Sequence, residues 1–200
     1  MTVDLWVVGG ARAALAILLA VSCLTDLRAR RIPNLVSGTA FVAALVWHAL
    51  APAGAGLFDP YMAGGLGFRE ALIGAMASLV LLVIPYGVGL LGAGDVKLLV
   101  ALGAWVGISA LPSFWLAVML AGAALALVWA LAVNDVSGSL GRTVAALRAL
   151  LFRLMGLPGL ALLEGRTNQE APPAARLPFA IAITGGCAGY GLSVHQTLFG

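Results

Sequence analysis

Six long apolar stretches divide this chain and leave it little else to fold with. They run approximately from Leu5 to Leu24, Leu35 to Ala51, Ala71 to Leu91, Val96 to Leu111, Phe114 to Val133 and Pro178 to Leu198. A helix that crosses a bilayer needs about 20 apolar residues; the stretches approach that length, and the fourth is short for a span. Composition decides the environment. Only 10% of the 200 residues are charged and 62% are hydrophobic, whereas a soluble domain carries about 25% charged residues. So few polar groups cannot clothe a water-exposed surface, so lipid must. The expected fold is therefore all-α, a polytopic integral membrane bundle of about six transmembrane helices, with residues 1–200 forming a single membrane domain. Membrane lipid is the expected surroundings and no nucleic-acid partner is expected.

The first apolar run has Asp4 ahead of it and its arginines after it. That order predicts an uncleaved first span instead of a secretory leader. Small residues are frequent within the stretches, as in Gly74-Ala75-Met76-Ala77 and Ala121-Gly122-Ala123-Ala124. They read as surfaces where helix backbones approach closely, because lipid supplies no hydrophobic drive between helices.

Basic residues set the orientation. With the spans alternating, Arg28, Arg30, Arg31, Lys97, Arg142, Arg148, Arg153, Arg166 and Arg176 fall on one side, and Arg12 and Arg69 on the other. The basic-rich side is expected in the cytoplasm, with both termini facing outward. Arg12, inside the first span near its outer end, is expected to snorkel to the interface. The long connection 134–177 is then cytoplasmic. Within it, Leu140 to Met155 could form an amphipathic helix on the inner leaflet, with Arg142 and Arg153 opposite Val144, Leu147, Leu151 and Leu154; a solvated linker fits the same residues.

The two cysteines, Cys23 and Cys187, each lie inside an apolar stretch, and no CxxC or Cys/His cluster exists. Neither a metal site nor another cofactor is expected. His48 and His195 fall toward the outer face and read as packing or interface residues.

Of eight acidic residues, six lie in loops, tails or span edges on the polar side. Asp26 and Asp95 differ. Asp26 ends the first span, in Thr25-Asp26-Leu27-Arg28, and Asp95 stands between the third and fourth, in Gly92-Ala93-Gly94-Asp95-Val96-Lys97. The alternation puts both at the same, cytoplasmic, depth. Ionisable groups beside membrane segments are costly, which makes them functional candidates. A pair of carboxylates can perform aspartyl proteolysis: one activates a water molecule and the other, protonated, polarises the scissile carbonyl. Two carboxylates sharing a site do not easily both ionise. Gly92 and Gly94 suit an irregular turn that a substrate backbone can approach. Lys97 could hold a nearby carboxylate ionised or extend to the cytoplasm. A small transporter or proton pathway would also use bundle carboxylates, but at the midplane and with an inverted repeat. A non-catalytic scaffold of a pilus or secretion assembly is the third reading.

These residues carry a resemblance. Asp26 followed by Ile32-Pro33-Asn34 resembles the first signature of type IV prepilin peptidases, and Gly92-Ala93-Gly94-Asp95-Val96-Lys97-Leu98-Leu99 resembles their Gly-x-Gly-Asp-x-Lys-Leu box. Pro178-Phe179-Ala180 is similar to the Pro-Phe/Tyr-Gly segment that opens the family's last span, with Ala180 in place of glycine. The resemblance covers most of the chain. It implies Asp26 and Asp95 as catalytic dyad, with Gly92, Gly94 and Lys97 supporting the active-site loop. It also implies removal of a basic leader from prepilin or Flp-type pilin precursors, at the cytoplasmic face of the inner membrane. A first span directly before the first Asp, and no cysteine tetrad, resemble the short Tad/Cpa-type members without the methyltransferase-associated region. Proline fixes φ and needs no amide partner, so Ile32-Pro33-Asn34 reads as the start of the second span and not as catalytic.

Overall fold

The computed structural model describes residues 5–29, 31–59, 61–87, 91–132 and 179–196, with scattered residues between 141 and 156. Among the described residues the long elements are α1 (Leu5–Ala29), α2 (Asn34–Leu50), α3 (Phe68–Gly87), α4 (Ala93–Val106), α5 (Leu111–Ala132) and α6 (Phe179–Gln196). The protein is an all-helical membrane bundle. Helices α1, α3 and α5 are long and apolar enough to cross a membrane, and α2 and α6 are shorter apolar helices.

The helices extend past several of the expected apolar bounds. Helix α1 continues beyond Leu24, so Thr25, Asp26 and Arg28 are helical; Thr25 Oγ1 donates back to the Val21 carbonyl at 2.9 Å. Helix α3 starts at Phe68 and takes Glu70 into its first turn, where a negative charge complements the helix dipole.

Helix α4 is the central element. Its 14 residues span only ~21 Å, less than the ~30 Å of a hydrocarbon core. Val96, Leu98 and Leu99 are buried, as is every residue from Ala101 to Val106, and the helix packs between α2 and α3. The short fourth stretch is thus a core helix enclosed by its neighbours. It ends where Gly107 adopts φ 76°, a conformation that glycine tolerates and most residues do not. The apolar part of α4 begins at Val96, which leaves Asp95 at its polar edge.

Small residues allow the close packing of α3 on α4. A Cβ on Gly74 would overlap the Gly103 carbonyl oxygen, and one on Gly103 would overlap Ser78 Oγ. Gly186 of α6 lies equally close to the Val118 backbone of α5. The expectation that glycines serve as packing surfaces holds at these crossings.

One end of the bundle is closed by the loop between α2 and α3. An isolated parallel bridge pairs Ala53 with Gly65, and Leu57 is fully buried. His48 is buried and links three segments: its Nδ1 accepts the Leu66 N–H at 3.0 Å, so Nε2 carries the ring proton and donates to the Trp105 carbonyl at 3.2 Å. Arg12 donates to the carbonyls of Leu57 at 2.9 Å and Asp59 at 2.8 Å. Arg12 is therefore held by this loop. 

Contacts divide the chain into two compact units, Met1–Gly122 with Pro178–Gly200, and Ala123–Leu177. The first holds α1 to α4, the start of α5, and α6. In the second, the rest of α5 is described, and Gly141, Val144, Ala145, Arg148, Leu151 and Phe152 are helical. Most of the connection 134–177, and with it most of the amphipathic helix expected over Leu140 to Met155, lies outside the described residues.

Candidate functional site

Four chain segments meet at the other end of the bundle: the last turn of α1, the start of α2, the first turn of α4 and the start of α6. Each arrives there because the helices alternate in direction. Asp26 is in the last turn of α1, and its Oδ2 accepts the Ala180 backbone N–H from the start of α6 at 3.1 Å. Ala180 N–H belongs to the first turn of α6, whose amides have no partner within the helix. The carboxylate satisfies one of them.

Asp95 is in the first turn of α4, and its Oδ2 accepts the Gly92 N–H at 3.3 Å. Its pKa is raised above the ordinary carboxylate range. Partial burial is the largest cause, the Gly92 hydrogen bond opposes it, and the negative charge of Asp26 adds to the rise. The two carboxylates are therefore close enough to sense one another's charge. This is the arrangement in which one member of a pair keeps its proton.

The glycines around Asp95 are small for reasons of space. Gly92 has φ −76° and ψ 152°, which any residue can adopt, and neither Gly92 nor Gly94 has a positive φ. A Cβ on Gly92 would stand 3.0 Å from Asp95 Oδ2, and one on Gly94 would stand 3.1 Å from Ile32 Cβ. Gly92 makes room for the carboxylate that folds back onto it. Gly94 makes room for the extended connection between α1 and α2.

Lys97 Nζ donates to Asn34 Oδ1 at 2.9 Å. Lys97 is exposed, and its described hydrogen-bond partner is Asn34 and not a carboxylate. Two positions along a helix are about 200° apart, so Lys97 points away from Asp95. Ile32 and Asn34, read from the sequence as a helix start and nothing more, both touch the Gly92–Lys97 segment. The signal for this lay in Pro33 and Asn34 themselves: a proline-led helix start only eight positions after Asp26 must return the chain to the same end of the bundle.

The two cysteines are free. Cys23 Sγ lies 3.0 Å from Thr184 Oγ1 and 3.3 Å from the Ala180 carbonyl, and Cys187 is buried. Among the described residues no three His, Cys, Asp or Glu side chains gather in a cluster. An apolar cavity of about 410 Å³ opens between α1, α6 and the α2–α3 loop, lined by Leu15, Leu19, Phe58, Thr184 and Cys187; neither Asp26 nor Asp95 borders it.

Fold and site together define a class: a helical membrane protein with two carboxylates brought to one end of its bundle. The chain belongs to the type IV leader peptidase family, whose model matches residues 13–127, more than half of the chain and inclusive of both carboxylates. It is also similar to a prepilin leader peptidase/N-methyltransferase of Pectobacterium carotovorum subsp. carotovorum, 43% identical over 68 residues. That match covers 30% of this chain and 24% of the relative, so the chain spans about a quarter of the length of the curated relative it matches. No solved structure matches.

Proposed function

We propose that this protein is an aspartic endopeptidase that removes the basic leader from prepilin or pilin-like precursors, with Asp26 and Asp95 as its catalytic pair. The observation that carries the reading is that two carboxylates far apart in sequence come to the same end of the bundle, Asp26 against the start of α6 and Asp95 in the first turn of α4, with the Asp26 charge contributing to the raised pKa of Asp95. Membership of a leader peptidase family and the name of the curated relative support the reaction class. The asymmetric basic residues support an active site on the cytoplasmic side of the inner membrane.

The chemistry follows from the pair. Asp95, pushed toward its protonated form, donates a hydrogen bond to the scissile carbonyl oxygen. Asp26 takes a proton from water as the water oxygen attacks the carbonyl carbon. The tetrahedral intermediate then collapses, the C–N bond breaks, and the leaving amine takes a proton from the pair. Burial at the polar edge of the membrane limits competing water and strengthens each of these interactions.

Co-expression with a short prepilin tests this. Asp26→Asn and Asp95→Asn keep side-chain size while removing the titrating group. Each abolishes leader removal at normal enzyme abundance, read by mass spectrometry, and the double variant is little worse than either single one, because residues acting as a unit are non-additive. Substantial processing by either single variant removes that residue from the pair.

A further inference from the structure

We propose that Asn34 is a positioning residue for the reaction: by holding Lys97 it locks the first turn of α4 against the start of α2 and so aims Asp95 at Asp26. The inference rests on the catalytic reading of those two carboxylates.

The first turn of a helix is its least constrained part, because its amides have no partners four residues earlier. In α4 that turn is Ala93-Gly94-Asp95-Val96, preceded by Gly92. Two of these positions have no side chain, and Gly92 and Ala93 are exposed. Within the turn, the bonds are Val96 N–H to the Gly92 carbonyl at 3.1 Å and Gly92 N–H to Asp95 itself at 3.3 Å. The second of these makes the direction of Asp95 depend on the turn it belongs to. What holds the turn must therefore come from outside it.

Val96 anchors one side of it in the core, and two contacts reach it from the chain that follows Asp26, one from the connection and one from the start of α2. Ile32 is buried against Gly94. That contact blocks approach but is apolar and has no direction. The Lys97 Nζ to Asn34 Oδ1 bond, 2.9 Å, is directional. Lys97 follows Asp95 by two positions and lies on the opposite side of the helix. A tether there resists rotation of the turn about its axis. A carboxylate stands roughly 5–6 Å from the helix axis, so a rotation of about 20° displaces it by about 2 Å. Displacements of about 1 Å in a reacting group can cost about 100-fold in rate. Asn34 in turn follows Pro33, whose φ of −61° fixes where α2 begins. The tether thus joins the segment that carries Asp95 to the segment that leaves Asp26, and it does so without touching either carboxylate.

The test is steady-state cleavage of a purified short prepilin by the full chain in detergent micelles, with kcat and KM separated. Asn34→Ala lowers kcat by about tenfold or more and leaves KM within about threefold, since the tether aims a reacting group and does not hold substrate. Asn34→Asp keeps an oxygen acceptor at the same reach from Lys97 and restores most of kcat. Lys97→Met breaks the same bond from the other side, gives a similar loss, and supplies the measurement should Asn34→Ala fail to accumulate. The double variant Asn34→Ala with Lys97→Met is no worse than the poorer single one. Wild-type kcat in Asn34→Ala, a loss that Asn34→Asp does not recover, or additive losses in the double variant would each overturn the proposal. Asp26→Asn and Asp95→Asn are measured alongside. If they are inactive while Asn34→Ala is fully active, only the tether is refuted; if they cleave, the catalytic reading beneath it is refuted.

Discussion

Replacing Gly94 by alanine should separate the aim of the active site from the stability of the fold. The added Cβ would stand 3.1 Å from Ile32 Cβ, 3.5 Å from the Ile32 nitrogen and 3.6 Å from its oxygen. Carbon atoms rest at about 3.5–4.0 Å, so α4 and the α1–α2 connection must part by roughly 0.4–0.9 Å. Overpacking of this kind costs about 1–3 kcal/mol. Alanine, however, gains up to about 1 kcal/mol over glycine inside a helix, and residues 31–33 lie in no helix that would resist a small shift. The net stability cost is therefore modest, about 0–2 kcal/mol. The same shift acts directly on the turn that carries Asp95. With about 1 Å worth about 100-fold, cleavage falls by about 10- to 100-fold. Two measurements on the purified chain in micelles check this, prepilin cleavage and the thermal unfolding midpoint. The structure also specifies which second change fails to help. Ile32→Val and Ile32→Ala both keep the offending Cβ and do not restore the rate. Full cleavage by Gly94→Ala would refute the argument that Gly94 is small because of Ile32.

Two further outcomes follow from the charges. Asp95 has a raised pKa through burial and the Asp26 charge, so folding favours its protonated form. The stability it contributes is present below the ordinary carboxylate pKa and is lost as pH rises through the folded value; unfolding midpoints measured across that range should lose this slope in Asp95→Asn, and an unchanged slope would refute the assignment. The same rise places the alkaline limb of the pH–rate profile above the ordinary carboxylate range. For orientation, single cysteines at Ala29 and Ala145 in a background without Cys23 and Cys187 should be shielded from a membrane-impermeant thiol reagent in intact cells, and one at Ala53 labelled. Ala53 is exposed, whereas Gly54 beside it is wedged against Gly64. Labelling at Ala29 would place the carboxylates on the outer side.

The sequence by itself determined the helices and which ends of them share a side. In lipid a backbone must satisfy its own amides, so an apolar stretch of sufficient length has little choice but a helix. Alternation then brings Asp26, Asn34, Gly92–Lys97 and Phe179 to one end by counting alone. What counting could not supply is rotation about each helix axis. These helices are apolar on nearly every side, so no hydrophobic stripe marks the face that turns inward. Only the assembled bundle decided that α4 is enclosed between α2 and α3, and that Lys97 reaches Asn34 in place of a carboxylate. It likewise decided that the Ala180 amide, not a side chain, meets Asp26, and that His48 links Leu66 to Trp105. Each of these is a contact between residues distant in the chain. Their partners depend on close packing, to within an ångström, of surfaces that look alike in sequence because lipid and protein interior make the same demand on a side chain.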